Sequence, residues 1–141
     1  FDEVWLLMAC TPLITADDLI NIASYFDRML KKQNTDTLKM LSTGTFPAPV
    51  EWAYQMSEDQ FLVPRNPSKI KLPSQVFQES YFDAGAFCIY SKNALKSENL
   101  SGYSSKYIPY FLPRNQCIDI DNQNDWNEAL KMYELLNKHT D

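Results

Sequence analysis

With 141 residues the chain has the length of one ordinary domain, and a composition 45% hydrophobic and 22% charged with only three glycines excludes a disordered or fibrous protein. A net charge of −5 gives no basic footprint for tracking a nucleic-acid backbone, so a phosphate-bearing partner is expected to be small and accompanied by a cation. Cys10, Cys88 and Cys117 are far apart and lack a CxxC pair, and no apolar run approaches the ~20 residues of a membrane helix, so reduced thiols, a cytoplasmic location and no membrane partner are expected.

The chain opens at Phe1 in what reads as the approach to a strand already under way, so an amino-terminal portion is expected to precede it. Val4 to Cys10 is a continuous apolar run closed by Thr11-Pro12, the pattern of a buried, central, parallel strand. Thr15 with Asp18 resembles a capping box with Asp in place of Glu. Leu19, Ile22, Ala23, Phe26, Met29 and Leu30 then recur at helical spacing, predicting a helix with one apolar face that ends near Lys31-Lys32. Gln33 to Asp36 is a loop and "TLKMLST" a strand. A right-handed crossover predicts that the two strands pair in parallel with the helix over one face of the sheet.

"GTFPAP", from Gly44 to Pro49, is excluded from a central strand by its prolines and reads as a functional loop or a crossover into a lobe. "EWAYQMSEDQFLVP" predicts two short strands around Ser57-Glu58-Asp59, and "RNPSKIKLPSQ" a polar arm, the whole forming an excursion from the main sheet. "YFDAGAFCIYS" returns to a buried strand, where Ala84-Gly85-Ala86 lets another group close to the backbone. Ile108 to Leu112 is a second buried strand and "QCIDID" a short one. From Asn124 the chain is helical, with Trp126, Ala129, Leu130, Tyr133 and Leu136 on one face.

On a strand, residues two apart point the same way, so Asp119 and Asp121 present both carboxylates on one face while Ile118 and Ile120 pack on the other. Such a pair suits Mg2+, which takes oxygen ligands, keeps waters and shares substrate phosphates. The competing role is structural: Asp121 or Asn122 caps the helix, Asp125 favours its first turn, and Asp119 is solvated. Asp83 either touches a ligand or bonds backbone amides. Arg65, Lys69, Lys71 and Gln75 form an arm that either addresses an acidic sugar or is solvated surface. His139, the single histidine, sits near a polar helix end and suits the helix dipole better than catalysis. No Ser/His/Asp set, Cys/His pair or glycine-rich phosphate loop is present, which leaves chemistry based on a metal and positioning.

In order, "LLMACTPLITADDL", "FPAP", "SQVFQESYFDAGAF" and "IPYFLPRNQCIDIDNQNDW" resemble the successive blocks of the acylneuraminate cytidylyltransferases, most of all the pseudaminic acid branch, from about Val4 to Leu136. The resemblance implies an α/β fold: a mostly parallel, Rossmann-like sheet between helices, of nucleotide-diphospho-sugar-transferase type, with the excursion at 46–75 serving dimerisation. It implies transfer of CMP from CTP to the anomeric hydroxyl of a nine-carbon acidic (nonulosonic) sugar with release of pyrophosphate, and a homodimer. Asp119 and Asp121 correspond to the metal-binding and catalytic aspartates, with Mg2+ as cofactor, and Thr11, Gln75, Asp83, Ala84 and Gly85 to substrate contacts.

Two departures narrow the expectation. Met8 stands where sialic acid synthetases carry a sugar-contacting glutamine, and "FDAGAF" matches the pseudaminic rather than the sialic version, so pseudaminic acid is favoured over sialic, legionaminic or ketodeoxyoctonic acid. Pro73 and Ser74 replace an arginine that usually lies just before Gln75, which weakens carboxylate binding by that arm. The family's Ala-Arg-Gly-Gly-Ser-Lys type loop, which cradles CTP, is not among these residues, so the chain by itself is expected to be inactive and to be the carboxyl-terminal portion of the enzyme. The alternative from another class is a noncatalytic sugar-binding or dimerisation module.

Overall fold

A computed structural model of the chain describes residues 1–96 and 106–137. In chain order its regular elements are β1 (Glu3–Leu7), α1 (Ala16–Gln33), β2 (Lys39–Thr45), β3 (Tyr54–Met56), β4 (Leu62–Pro64), β5 (Tyr81–Ser91), α2 (Lys92–Lys96), β6 (Ile108–Phe111) and α3 (Gln123–Asn137). The chain divides into two compact units, one formed by residues 1–44 with the chain from Asp83 onward, the other by Thr45–Phe82. His139 lies outside the described residues.

The first unit is α/β, built on a mixed four-stranded sheet of order β1-β5-β2-β6. β1 pairs antiparallel with β5, from Glu3 opposite Ser91 to Leu7 opposite Phe87. β2 pairs parallel with β6, from Met40 opposite Ile108 to Thr43 opposite Phe111. Along β2 the partners on β5 descend: Leu38 O accepts from Ser91 N–H, and four residues later Ser42 Oγ accepts from Ala86 and Phe87. β5 is therefore antiparallel to both of its neighbours.

This corrects three expectations. The sheet is mixed rather than mostly parallel. β1 and β2 run the same way, as the strand-helix-strand unit requires, but β5 inserts between them, so they do not pair with each other. Nor is β1 central: it ends the strand order, and Leu6, Leu7 and Met8 are exposed. A continuous apolar run records that a strand is hydrophobic on both faces; whether both faces are covered depends on elements distant in sequence.

α1 forms where its local signals place it. Thr15 Oγ1 accepts from Asp18 N–H at 3.2 Å and Asp18 Oδ2 accepts from Thr15 N–H at 2.9 Å, so two of the unpaired donors at the helix start are satisfied reciprocally. Asp17 and Asp18 at the start and Lys31 and Lys32 at the end complement the helix dipole, and Asn34 closes the helix in the left-handed conformation at φ 47°. The apolar face buries Ile22, Phe26 and Met29 against Leu38, Met40, Ala84, Ala86, Phe87, Ile89 and Leu112. Phe26 and Ile22 are fully enclosed, each contributing about 1.5–3 kcal/mol by burial. Tyr110 links this core to the helix, edge-on to both Phe87 and Tyr25 at 5.9 and 5.4 Å.

The second unit contains the β3–β4 hairpin, in which Tyr54 opposes Pro64 and Met56 opposes Leu62. Its turn is closed by Ser57 N–H to Phe61 O and Phe61 N–H to Ser57 Oγ, with Gln60 at φ 64°. Lys69 pairs with Glu51 at 3.6 Å, and Trp52 Nε1 donates to Leu72 O. Among the described residues no helix is long and apolar enough to cross a membrane.

Candidate functional site

The site of interest is built around an irregularity in β5. Burial along this strand falls on Ala84 and Ala86, then slips by one residue to Phe87, Ile89 and Ser91. A strand shows one side chain per face alternately, so consecutive buried residues mark an extra residue, as in a bulge. The backbone donors confirm it. Gly85 N–H turns to its neighbour Asp83 Oδ1 at 2.9 Å, and Ala86 and Phe87 both donate to the buried Ser42 Oγ at 3.0 and 3.1 Å. Gly85 sits at φ 66°, a left-handed conformation that costs glycine little and other residues more.

The bulge receives the segment that carries the two aspartates. A β-carbon built on Gly85 would stand 2.9 Å from Asp119 Oδ2 and 3.4 Å from its Cγ, so the carboxylate occupies the space the missing side chain leaves. The turn after β1 closes the third side. Met8 N–H donates to Ala86 O, Thr11 Oγ1 to Met8 O, and Ile120 N–H to Cys10 O at 3.0 Å. The Asp119 carboxylate beside Cys10, first as an acceptor for the thiol, then some burial and the charges of Asp119 and Asp121, holds the Cys10 thiol above its usual range.

The aspartate segment differs from the expected strand. "QCIDID" makes no ladder: Arg114–Gln116 is a 3-10 turn, and residues 117–121 run irregularly with the bond from Ile120 to Cys10 as their link to the β1 side. Its alternation nevertheless survives. Ile118 packs in a small cluster with Leu13 and Ala129, Ile120 leans on that cluster, and Asp119 and Asp121 are exposed. Upstream, Gln116 Nε2 donates to Leu13 O and to Asp18 Oδ2 at 2.9 Å, pinning the segment to the first turn of α1.

The helix cap falls to other residues. Asn122 Oδ1 accepts from Asn124 and Asp125 N–H, and Asp125 Oδ2 accepts from Asp121 and Asn122 N–H, an Asn-x-x-Asp box that starts α3. Neither Asp119 nor Asp121 is the cap. Trp126, Leu130, Tyr133 and Leu136 of α3 are exposed, and of the expected apolar face Ala129 is buried.

The remaining predicted residues are distributed as follows. Thr11 is buried and serves the turn after β1; Ala84 is buried in the core; Asp83 is exposed and bonds the Gly85 amide, the backbone role foreseen as its alternative. Gln75 lies exposed in a 3-10 turn of the second unit, Ser74–Val76, and Lys69 is engaged by Glu51 there. Sequence reasoning missed Ser42 and Cys10. Ser42 follows Met40 and Leu41 in a strand that also carries Lys39, Thr43 and Thr45, so nothing local singled it out, and nothing local signalled Cys10.

As a metal holder the pair is partial. Among the described residues no three His, Cys, Asp or Glu side chains gather as a metal cage. Two exposed carboxylates, one of them seated, fit a hard cation that completes its shell with water and substrate oxygens, the habit of Mg2+. The protonated Cys10 thiol is a poor ligand for such an ion. No protein-family model matches the chain, and no curated protein is similar enough to stand as its relative.

Proposed function

We propose that this chain is part of a magnesium-dependent cytidylyltransferase that transfers CMP from CTP to the anomeric hydroxyl of a nine-carbon acidic sugar, with pseudaminic acid favoured. The observation that carries this reading is the pair Asp119 and Asp121: both exposed, neither spent on the helix cap, and Asp119 seated on a strand bulge. The ordered sequence blocks supply the substrate class, and the α/β unit with its parallel β2–β6 pair is compatible with a nucleotide-diphospho-sugar-transferase-like fold. The exposed apolar residues of the β3–β4 hairpin, Met56, Phe61 and Leu62 among them, are compatible with a homodimer formed through this excursion.

In this reaction the anomeric oxygen forms a bond to the α-phosphorus of CTP, the bond from that phosphorus to the bridging oxygen breaks, and pyrophosphate leaves with the electron pair. Asp119 and Asp121 would hold Mg2+, which when bound supplies charge stabilisation on the phosphate oxygens. Asp119, fixed by Gly85 and Cys10, sets the position of one carboxylate. Either Asp119 or Asp121, both exposed, would also polarise the attacking hydroxyl.

The test is pyrophosphate release by the full-length gene product given CTP and, in turn, pseudaminic, legionaminic, sialic and ketodeoxyoctonic acids. Pseudaminic acid is expected to be the best acceptor, and Asp119→Asn and Asp121→Asn each to lower turnover about a hundredfold with little loss of stability. A clear preference for sialic acid overturns the choice of sugar. Full activity of both variants in magnesium overturns the role of the pair.

A further inference from the structure

Resemblance places Gly85 among the substrate contacts; the geometry points to a different role. We propose that Gly85 is a positioning residue, whose missing side chain forms the seat that orients the Asp119 carboxylate toward a divalent cation. The inference rests on the cation reading of Asp119 and Asp121 and adds to it the device that makes one of the two carboxylates rigid.

Three observations converge on that seat. The space above Gly85 Cα is taken by Asp119 Oδ2, 2.9 Å from where a β-carbon would stand, so a side chain there would require the carboxylate to move. The backbone around Gly85 is held from independent directions, by Asp83 at its own N–H, by Ser42 at the next two amides and by Met8 at the carbonyl of Ala86. The segment itself is tied to the turn after β1 next to Asp119, where Ile120 N–H, the residue after Asp119, donates to Cys10 O at 3.0 Å. An exposed aspartate ordinarily samples several rotamers; one set in the gap over a glycine on a bonded segment has fewer open to it before a ligand arrives, which is the advantage of preorganisation.

Glycine is required here for two separable reasons, the left-handed backbone and the empty space, and a double-variant cycle tells them apart. In the full-length gene product, the parent, Gly85→Ala, Asp119→Ala and the double variant are compared by denaturant midpoint. Ternary complexes with Mn2+ and CTP are read from the enhancement of water-proton relaxation. Gly85→Ala is expected to weaken the Mn2+ complex roughly tenfold or more, and to lower the midpoint markedly less when Asp119 is already alanine, because the atom its methyl group meets is gone.

An equal midpoint loss in both backgrounds overturns the proposal, since backbone strain then accounts for the whole effect. So does an unchanged Mn2+ complex in Gly85→Ala when the parent binds normally, a result that leaves the cation reading intact. A parent that forms no ternary complex overturns the cation reading and the role of Gly85 within it together. Should Gly85→Ala fail to fold, a folded double variant supports the seat and an unfolded one overturns it.

Discussion

Asp119 Oδ2 lies 2.9 Å from the point where a β-carbon on Gly85 would stand, so a residue after β6 fills the surface of β5 at the one position along that strand where no side chain competes. The contact depends on the bulge, and the bulge depends on a hydroxyl. It also explains how an aspartate on an irregular segment keeps a defined place.

The hydroxyl is that of Ser42, fully buried, whose Oγ accepts from both Ala86 and Phe87 N–H. Replacing it by alanine strands two buried donors at once. We expect Ser42→Ala to cost about 2–6 kcal/mol, because each of the two unpaired buried amides forfeits roughly 1–3 kcal/mol. Urea unfolding measures it; a loss under about 0.5 kcal/mol, the usual range of a neutral surface change, means that the bulge does not need this acceptor.

What the residues disclosed in advance follows the range of the interactions involved. Thr15 and Asp18 are three apart and need only each other, so the start of α1 was legible, as was the extent of β5 from its apolar run. Gly85 announced a close approach but not the visitor, since Asp119 reaches it only after the chain has crossed the sheet. The edge position of β1 was hidden for the same reason, its run being as apolar as that of a central strand. In "CIDID" the alternation of Ile118 and Ile120 with Asp119 and Asp121 was correct, while the ladder was not, because pairing needs a partner strand and, among the described residues, the segment is joined to the β1 side by the single bond from Ile120 to Cys10.

The division of labour between Asp121 and Asn122 carries a second prediction. Asn122 Oδ1 accepts two amides of the first turn of α3, and Asp125 returns the favour to Asp121 and Asn122 N–H. Asn122→Ala is therefore expected to cost about 1 kcal/mol of stability, while Asp121→Ala stays within about 0.5 kcal/mol. Thermal denaturation of the two variants side by side decides; the opposite ranking makes Asp121 the cap and removes it from the candidate pair.

The last prediction concerns Cys10, which is partly accessible and whose ionisation is pushed up by the neighbouring Asp119 carboxylate. The thiolate, not the thiol, reacts with alkylating agents, so the pH dependence of alkylation reports the thiol's ionisation. A carboxylate that accepts the S–H bond stabilises the protonated form, and its negative charge opposes a second one beside it; both effects push ionisation to higher pH. Asp119→Asn keeps the shape of the side chain and removes the charge. Its Cys10 is expected to react with iodoacetamide at lower pH than that of the parent, the rate rising first in the variant as pH increases, with modification at Cys10 followed by peptide mass spectrometry to separate it from Cys88 and Cys117. Asp121→Asn, acting through charge alone, is expected to shift the profile the same way by less. Coincident profiles in parent and Asp119→Asn would place the thiol away from the carboxylate and dismantle this side of the seat.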